Sequence, residues 1–285
     1  MFTDWTFGPY VLVPPPHVLA VSSVDLAPLV VNQGARGVLF QWLYFSTASP
    51  GGVNITRIQV DRIGTSTDAD VDSLQLYNDV NATGSMAGAL FVGASTFLGG
   101  RVSFAVSLRA TPAKPAAVLL LINVSRAAVP DNTIGLEVRD ASYISVGPND
   151  VVQAFPAYRS TTALVNGPPS PNGLSVNGFG DGTAGIIHIL GASPTLAWRF
   201  RDPNAADLTQ VQFNVSVSSV SPSRLVFWHN ESSALTSLPY AGDPLVPGTS
   251  YVMQIVASDG RLWSSPTGVL FRVNTPPPAP TLFAP

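Results

Sequence analysis

The 285-residue sequence contains no cysteine. This absence excludes a disulfide framework, a thiolate nucleophile and any zinc or iron–sulfur site with cysteine ligands. Lysine and glutamate are almost absent as well, because Lys114 is the one lysine and Glu137 and Glu231 are the two glutamates. These residue types normally cover the exposed faces of helices, so a helical protein is difficult to build without them. The composition therefore predicts an all-β chain.

Charge is also scarce. Charged residues make up 11% of the chain, against roughly 25% in an average domain. The formal net charge of -3 offers no basic footprint for nucleic acid and no polybasic patch for a membrane surface. The densest apolar run, 116–124, is shorter than the roughly 18 residues of a membrane helix and predicts a buried strand. We therefore expect no nucleic-acid partner and no membrane-spanning segment.

Proline clusters divide the sequence at 14–16, 168–171 and 276–280. The last two follow Asn166 and Asn274, which are separated by about the length of one immunoglobulin-type sandwich, roughly 100 residues. Three unrelated surface loops are the alternative interpretation. We expect an all-β fold of two tandem immunoglobulin-like β-sandwiches joined by a proline-rich linker. The expected divisions are a tail at 1–16, sandwiches at 17–165 and 166–275, and a proline-rich linker or tail at 276–285.

The second domain contains alternating apolar and polar residues, as in 195–201 and 210–217, which is typical of half-buried strands. The segment 245–251, Leu-Val-Pro-Gly-Thr-Ser-Tyr, resembles the Leu-x-Pro-Gly-Thr-x-Tyr segment of fibronectin type III modules. The resemblance implies a tyrosine corner formed by Leu245 and Tyr251 and a core position for Trp198. It also implies a spacer or binding unit and no enzyme activity.

The first domain alternates in the same way over 102–108 and 56–60. Its segment 64–71, Gly-Thr-Ser-Thr-Asp-Ala-Asp-Val, precedes Leu-Tyr-Asn-Asp at 76–79. This order of motifs resembles β-sandwich repeats of archaeal and bacterial cell-surface proteins, of the surface-layer or filament type. The sequence departs from that pattern after Asp79, where the usual acidic loop is missing.

One group of carboxylates has the spacing of a calcium loop. Oxygen ligands at positions one, three, five and twelve are typical of such loops, and the residues at these positions are Asp68, Asp70, Asp72 and Asp79. Position six is Ser73 where the loop requires glycine. The alternative is a solvated turn before a strand. A structural calcium ion is the one cofactor that the sequence suggests.

Five sequons predict N-linked glycans, at Asn54, Asn81, Asn123, Asn214 and Asn230. Asn123 is the weakest candidate because it adjoins the apolar run. Glycans would explain how so uncharged a surface stays soluble, and an acidic environment is the rival explanation.

No catalytic motif is present. The histidines are His17, His188 and His229, and none is paired in sequence with a nucleophile. The exposed-site candidates for sugar stacking are Trp228 and Trp263, although a tryptophan is more often a core residue. We therefore expect that the chain is not an enzyme.

The N-terminal tail is unusually apolar for a free terminus in water, with Phe2, Trp5, Phe7, Tyr10 and Leu12 as its candidate self-assembly residues. The tail is either the last strand of a preceding domain or a strand that inserts into a neighbouring subunit. It lacks the basic and apolar regions of a signal peptide, so export requires a segment outside this sequence, or this is part of a longer chain.

The sequence thus predicts a structural subunit of an extracellular filament or surface layer. It would form a homopolymer by strand addition and by contacts between β-sandwiches. The alternative is an adhesin stalk or carbohydrate-binding module of a larger surface protein, with surface glycans as partners.

Overall fold

The computed structural model describes residues 15–180, 185–275 and 277. These residues form strands, two short 3-10 helices and connecting turns. None of the described residues belongs to a helix long and apolar enough to cross a membrane. The chain divides into two compact units, the first holding residues up to 128 and 132–164, and the second holding 129–131 and the residues from 165 onward.

In the described residues, the first unit contains thirteen strands and two 3-10 helices, Asp68–Asp70 and Ala141–Tyr143. The strands are β1 His17–Asp25, β2 Val30–Asn32, β3 Val38–Ser46, β4 Val53–Ile63, β5 Val71–Asn78, β6 Leu90–Ser95, β7 Arg101–Ala110, β8 Ala116–Val124, β9 Thr133–Val138, β10 Ile144–Val146, β11 Asp150–Val152, β12 Tyr158–Arg159 and β13 Ala163–Asn166. The division between the units falls within β13.

Two sheets build this unit. One has the strand order β11-β1-β3-β8-β5-β6, in which β1 and β11 are parallel and the other neighbours are antiparallel. The other runs β10-β4-β9-β13-β2, with β7 added to β4 and β12 added to β9. The strand β8 is buried over all nine of its residues and is paired on both edges. It is therefore the centre of the first sheet.

Apolar side chains from alternate positions fill the core of the first unit. Phe45, Leu43, Ile58 and Leu74 are completely buried. On β4, a register shift between Ile55 and Arg57 interrupts the alternation. Such a bulge inserts one extra residue into a strand, so Thr56 and Arg57 are both exposed between the buried Ile55 and Ile58.

The second unit contains nine further strands. These are β14 Asn172–Val176, β15 Phe179–Gly180, β16 Ile187–Ile189, β17 Thr195–Arg199, β18 Gln212–Val220, β19 Ser223–Glu231, β20 Ser237–Pro239, β21 Ser250–Ser258 and β22 Thr267–Val273. They form a four-stranded sheet in the order β15-β14-β17-β20 and a five-stranded sheet in the order β16-β22-β21-β18-β19. The strands β16 and β22 are parallel.

Aromatic packing dominates the core of the second unit. The ring centroids of Trp198 and Phe213 are 4.9 Å apart, and both side chains are buried. The indole Nε1 of Trp198 donates a hydrogen bond to Gln210 Oε1 at 2.9 Å. Tyr251 Oη accepts a hydrogen bond from the N–H of Val246 at 2.9 Å, beside the buried Leu245. A tyrosine hydroxyl that bonds the backbone a few residues upstream has the geometry of a tyrosine corner.

Candidate assembly surface

The strand β6 forms one edge of the six-stranded sheet. It pairs with β5 through the register Tyr77↔Phe91 and Asn78↔Leu90. No strand of the described part of the chain pairs with its outer edge. An unpaired edge presents a row of backbone N–H and C=O groups that a further strand can use.

The side chains of β6 are apolar and exposed. Leu90 is 58% exposed, Phe91 57% and Val92 38%. A register shift in the pairing with β5 makes Val92 an extra residue on β6, and the strand consequently shows apolar side chains to both sides. Leu98, in the turn after β6, is 87% exposed. Consecutive exposed apolar residues are unfavourable in a soluble molecule unless they serve contact with a partner.

Aromatic contacts fix β6 to the rest of the sheet. Phe91 lies edge-on to Tyr77 with ring centroids 5.3 Å apart. Tyr77 is paired with Leu119 on β8, and Leu119 with Trp42 on β3. The exposed ring of Phe91 is therefore the outermost member of an aromatic and aliphatic row that crosses the sheet.

Other edges of the molecule are less apolar or partly covered. The free edge strand β7 exposes Ser103, Ala105 and Ser107 and has Arg101 and Arg109 near its two ends. In the second unit, β19 exposes Leu225 and Trp228. The backbone of β19 is engaged at Val226, whose carbonyl accepts a hydrogen bond from Tyr240 Oη at 3.4 Å. Of these three edges, β6 is the one that combines three consecutive exposed apolar side chains with a backbone edge that no strand of the described residues pairs.

The first two carboxylates of the predicted calcium loop have their own partners. Asp68 accepts hydrogen bonds from Arg62 Nη2 at 3.1 Å and from the N–H of Gly100 at 3.0 Å. Asp70 accepts from the N–H of Thr67 at 2.6 Å, closing the first turn of the 3-10 helix. Each carboxylate therefore fixes a local turn.

The other two carboxylates lie elsewhere. Asp72 forms an exposed ion pair with Arg36 at 2.8 Å. Asp79 follows the far end of β5, where its Oδ2 accepts from Trp42 Nε1 at 3.0 Å and from the N–H of Gly84 at 2.7 Å. An extended strand of this length separates Asp72 from Asp79 by roughly 20 Å. The structure thus does not bring the four carboxylates together as a calcium loop, and its described residues hold no group of three or more His, Asp or Glu side chains suited to a metal ion.

The sequons differ in accessibility. Asn54, Asn81 and Asn230 are exposed, and Asn214 is half-buried and paired with Asn230 across β18 and β19. Asn123 is buried, and its amide accepts from the N–H of Gly37 at 2.7 Å and donates to Ser73 Oγ at 2.9 Å. A glycan on Asn123 would require the loss of this donated bond and of the packing of β8.

The histidines have polar neighbours and no nucleophile. His17 Nδ1 lies 3.1 Å from Asp150 Oδ1, His188 Nδ1 lies 2.8 Å from Asn274 Oδ1, and His229 Nε2 lies 2.9 Å from Glu231 Oε2. The first two contacts join residues distant in sequence, whereas His229 and Glu231 lie on the same strand, β19. The arrangement of nucleophile, base and orienting acid that hydrolytic catalysis needs is not formed by these three contacts.

The tryptophans divide into core and surface residues. Trp198 is buried, whereas Trp228 is 57% exposed and Trp263 46% exposed. Trp228 is paired with Ser216 of β18. Trp228 and the exposed Asn230 are two residues apart on β19, so their side chains lie on the same face of that strand. The self-assembly residues Phe2, Trp5, Phe7, Tyr10 and Leu12 lie outside the described residues.

A cavity of about 300 Å³ lies where β5 and β7 end and β8 begins. Among its lining residues are Asp79, Arg109 and Lys114. Asp79 is the one acidic residue that lines it. A pair of carboxylates of the kind used in glycoside hydrolysis is therefore not assembled in this cavity.

A charge network around the buried Asp61 of the first unit was not evident in the sequence. Asp61 of β4 accepts hydrogen bonds from Arg101 Nε at 2.7 Å, Arg139 Nη2 at 2.8 Å and Tyr143 Oη at 2.5 Å. Burial alone would raise the pKa of Asp61, but the hydrogen bonds from Arg101 and Tyr143 outweigh burial and lower it. The pKa of Tyr143 is raised by burial and by the hydrogen bond to Asp61. The network ties β4, β7 and the segment after β9 together.

A second group of carboxylates lies in the second unit. Asp202 Oδ1 accepts from the N–H of Asn204 at 2.8 Å, and Oδ2 is buried without a hydrogen-bond partner in the described part of the chain. Burial raises the pKa of Asp202, the bond from Asn204 lowers it and the nearby charges of Asp259, Asp207 and Asp131 raise it, and the result is a pKa of about 6. Asp202 is therefore a group that takes up a proton near pH 6 in the folded state.

The fold defines the class of this protein as an all-β chain of two tandem immunoglobulin-like sandwiches. No family model and no curated protein matches the sequence. Solved structures of similar fold include the two-domain fibronectin type III segment of chicken tenascin, at 13% identity, covering 86% of this chain and 98% of that one, with a TM-score of 0.29. The chicken CNTN1 FN1–FN3 domains match at 10% identity over 87% of this chain and 69% of theirs, with a TM-score of 0.27.

The Hadza microbial sialidase Hz136 is also among these structures, with 11% identity, coverage of 87% of this chain and 59% of that one, and a TM-score of 0.39. At these identities and TM-scores, no property of those proteins is transferred to this chain.

Proposed function

We propose that this chain is a structural, non-enzymatic subunit of an extracellular filament or surface layer, a homopolymer that assembles through strand addition and β-sandwich contacts. The observation that carries the proposal is the edge strand β6, with its three consecutive exposed apolar residues and unpaired outer edge. Each Å² of apolar surface removed from water stabilises a complex by about 25 cal/mol before the costs of association. A subunit contact that covers β6 therefore has a driving force.

The second component of the proposal is the apolar N-terminal segment of the sequence. Residues 2–13 contain four aromatic residues together with the run Val11–Val13. A segment of this composition has too little polarity to remain in water without a partner. Strand addition supplies backbone hydrogen bonds for affinity and side-chain contacts for specificity.

An extracellular location is part of the proposal. The exposed sequon residues Asn54, Asn81 and Asn230 leave room for glycans on the folded chain. Such glycans would keep a surface with 11% charged residues in solution.

The test compares the full chain with a variant that lacks residues 1–13. We expect the full chain to form polymers that negative-stain imaging shows and light scattering sizes, because the segment joins one subunit to the next. The deletion variant should remain a folded monomer with the circular dichroism of the full chain. The matched control carries Thr3→Ser and Thr6→Ser and should polymerise like the unmodified chain. A monomeric full chain at every concentration, or polymers of unchanged length from the deletion variant, would overturn the proposal.

The adhesin-stalk or carbohydrate-binding function remains the second candidate, because Trp228 and Trp263 expose their indole rings. An exposed indole can stack on the apolar face of a sugar ring. This function requires a monomeric chain that binds a glycan array, with binding lost in Trp228→Ala. The size measurement on the full chain thus separates the two functions.

A further inference from the structure

We infer that β6 accepts residues 10–13 of a second copy of this chain as an added strand. The inference rests on the proposed function and names the two surfaces that would meet. The acceptor is the outer edge of β6, and the donor is the segment Tyr10–Val13, which lies outside the described residues.

The residue composition of the edge strands favours β6 as the acceptor. Its sequence, Leu-Phe-Val-Gly-Ala-Ser, has no charged residue and no proline, the two residue types that commonly protect an edge from pairing. The edge of β7 has an arginine near each end, and that of β19 is engaged at Val226 by Tyr240. The opposite edge of the same sheet, β11, offers three residues. Among these edges, β6 is the one that has consecutive exposed apolar side chains and no charged residue.

The side chains of the donor match both sides of β6. Successive residues of a strand point to opposite faces, so Tyr10 and Leu12 would lie on one face and Val11 and Val13 on the other. All four side chains are largely apolar. They would therefore suit the exposed apolar side chains of β6, which are Leu90, Phe91 and Val92. The earlier part of the tail, 2–7, contains Thr3, Asp4 and Thr6 and would place polar groups against this apolar edge. Residues 10–13 are therefore the better donor.

Chain geometry places the donor in a second copy. In the sheet, the vacant position outside β6 is five strand spacings from β1, because β3, β8, β5 and β6 lie between. At about 4.8 Å per spacing this is about 24 Å. Val13 is four residues before His17, the first residue of β1, and four residues span at most about 14 Å. The donor segment of one copy cannot reach its own β6.

The first test uses disulfide formation, which the absence of native cysteine makes unambiguous. Chains carrying Leu12→Cys are mixed with chains carrying Leu90→Cys or Val92→Cys under mild oxidation. We expect cross-linked heterodimers in at least tenfold higher yield than with the matched control Leu225→Cys, whose side chain on β19 is equally exposed. Equal yields with the control would overturn the inference.

A single chain carrying both Leu12→Cys and Val92→Cys tests the geometry. We expect bonds between copies and a ladder of covalent oligomers. A monomer with an internal disulfide would show that the tail folds back on its own β6 and would overturn the inference.

Charged variants give an independent readout. Leu90→Lys and Val92→Lys should shorten the polymers at least tenfold, whereas Leu225→Lys should leave their length unchanged. Because these side chains are exposed, their thermal unfolding midpoints should match that of the unmodified chain. Polymers of unchanged length from Leu90→Lys and Val92→Lys would overturn the β6 assignment while the filament function stands. A full chain that never polymerises would instead overturn the function on which the inference rests.

Discussion

A single carboxylate, Asp202, makes the stability of the second unit depend on pH. Its pKa in the folded state is raised to about 6 by burial and by three neighbouring carboxylates, and it lies near 3.8 when unfolding restores the ordinary environment. The protonated form therefore stabilises the fold. This contribution is fully present below pH 3.8 and is lost as the pH rises through about 6.

We predict that Asp202→Asn removes this dependence. One pKa unit corresponds to about 1.4 kcal/mol, and solvent screens a partly exposed cluster, so the expected gain in the free energy of unfolding at pH 7.5 is on the order of 1 kcal/mol. Urea unfolding at pH 5.0 and 7.5 measures it. The unmodified chain should be more stable at pH 5.0, and Asp202→Asn should lose that difference. The matched control is Asp243→Asn, an exposed residue of the same unit. An unchanged pH dependence in Asp202→Asn would contradict the assignment.

The contribution of Asp61 to stability depends on pH in the opposite direction. Its pKa is lowered in the folded state, so its contribution to stability is present above the unfolded pKa and is lost as the pH falls through the folded value. We predict that Asp61→Asn lowers the free energy of unfolding by about 2 kcal/mol, because removal of one partner leaves buried hydrogen-bonding groups unpaired. Urea unfolding at pH 7 measures the loss. Asp72→Asn, which breaks the exposed pair with Arg36, should cost about 0.5 kcal/mol or less. Equal losses in the two variants would refute the special role of Asp61.

Residue roles were the hardest to predict from sequence. The spacing of Asp68, Asp70, Asp72 and Asp79 satisfies a calcium pattern, but that pattern assumes one compact loop. The chain instead extends into β5 between Asp70 and Asp79. Asp61 gave no sequence signal because its partners, Arg101 and Tyr143, are distant in sequence and are brought to it by strand pairing.

At the scale of a single turn, Gly64 is the residue that directly follows β4. Its φ is +99°, and an added Cβ would lie 2.2 Å from the carbonyl oxygen of Thr133. We predict that Gly64→Ala lowers the free energy of unfolding by about 2 kcal/mol or more, because both the backbone conformation and the contact are unfavourable. The control is Gly99→Ala, with φ +60° and no atom within 4 Å of the added Cβ, which should cost about 1 kcal/mol. Thermal and urea unfolding compare them. An equal cost at both positions would show that the contact with Thr133 is unimportant.

Strands with a clear apolar or alternating pattern were predictable from the sequence. The exposure of a strand that depends on its place in the sheet was not. The apolar run 116–124 predicted the buried strand that β8 forms over those residues. Alternation over 195–201 and 210–217 indicated strands that lie at β17 and β18. In contrast, β6 has no alternation, because Val92 is an extra residue in its pairing with β5. Its exposure follows from its place at the edge of the sheet, which the strand order decides and local sequence does not.

At the scale of the whole molecule, composition was the most informative observation. The scarcity of lysine and glutamate indicated an all-β chain, and the described residues fold as two β-sandwich units. The chain divides into its two compact units between Leu164 and Val165. The participation of 129–131 in the second unit could not be foreseen, because it depends on long-range packing that no local pattern encodes.

The parallel strand pairs have a mechanical consequence. In the first unit β1, the strand nearest the amino terminus, runs parallel to the late strand β11, and in the second unit the last strand, β22, runs parallel to the early strand β16. A force that pulled the amino end of one strand of such a pair against the carboxyl end of the other would slide the two strands past each other, so their hydrogen bonds would be loaded together in shear. An antiparallel hairpin pulled from its open end would instead unzip one bond at a time. Each of these parallel pairs is therefore expected to resist tension between its two strands better than a hairpin pulled from its open end.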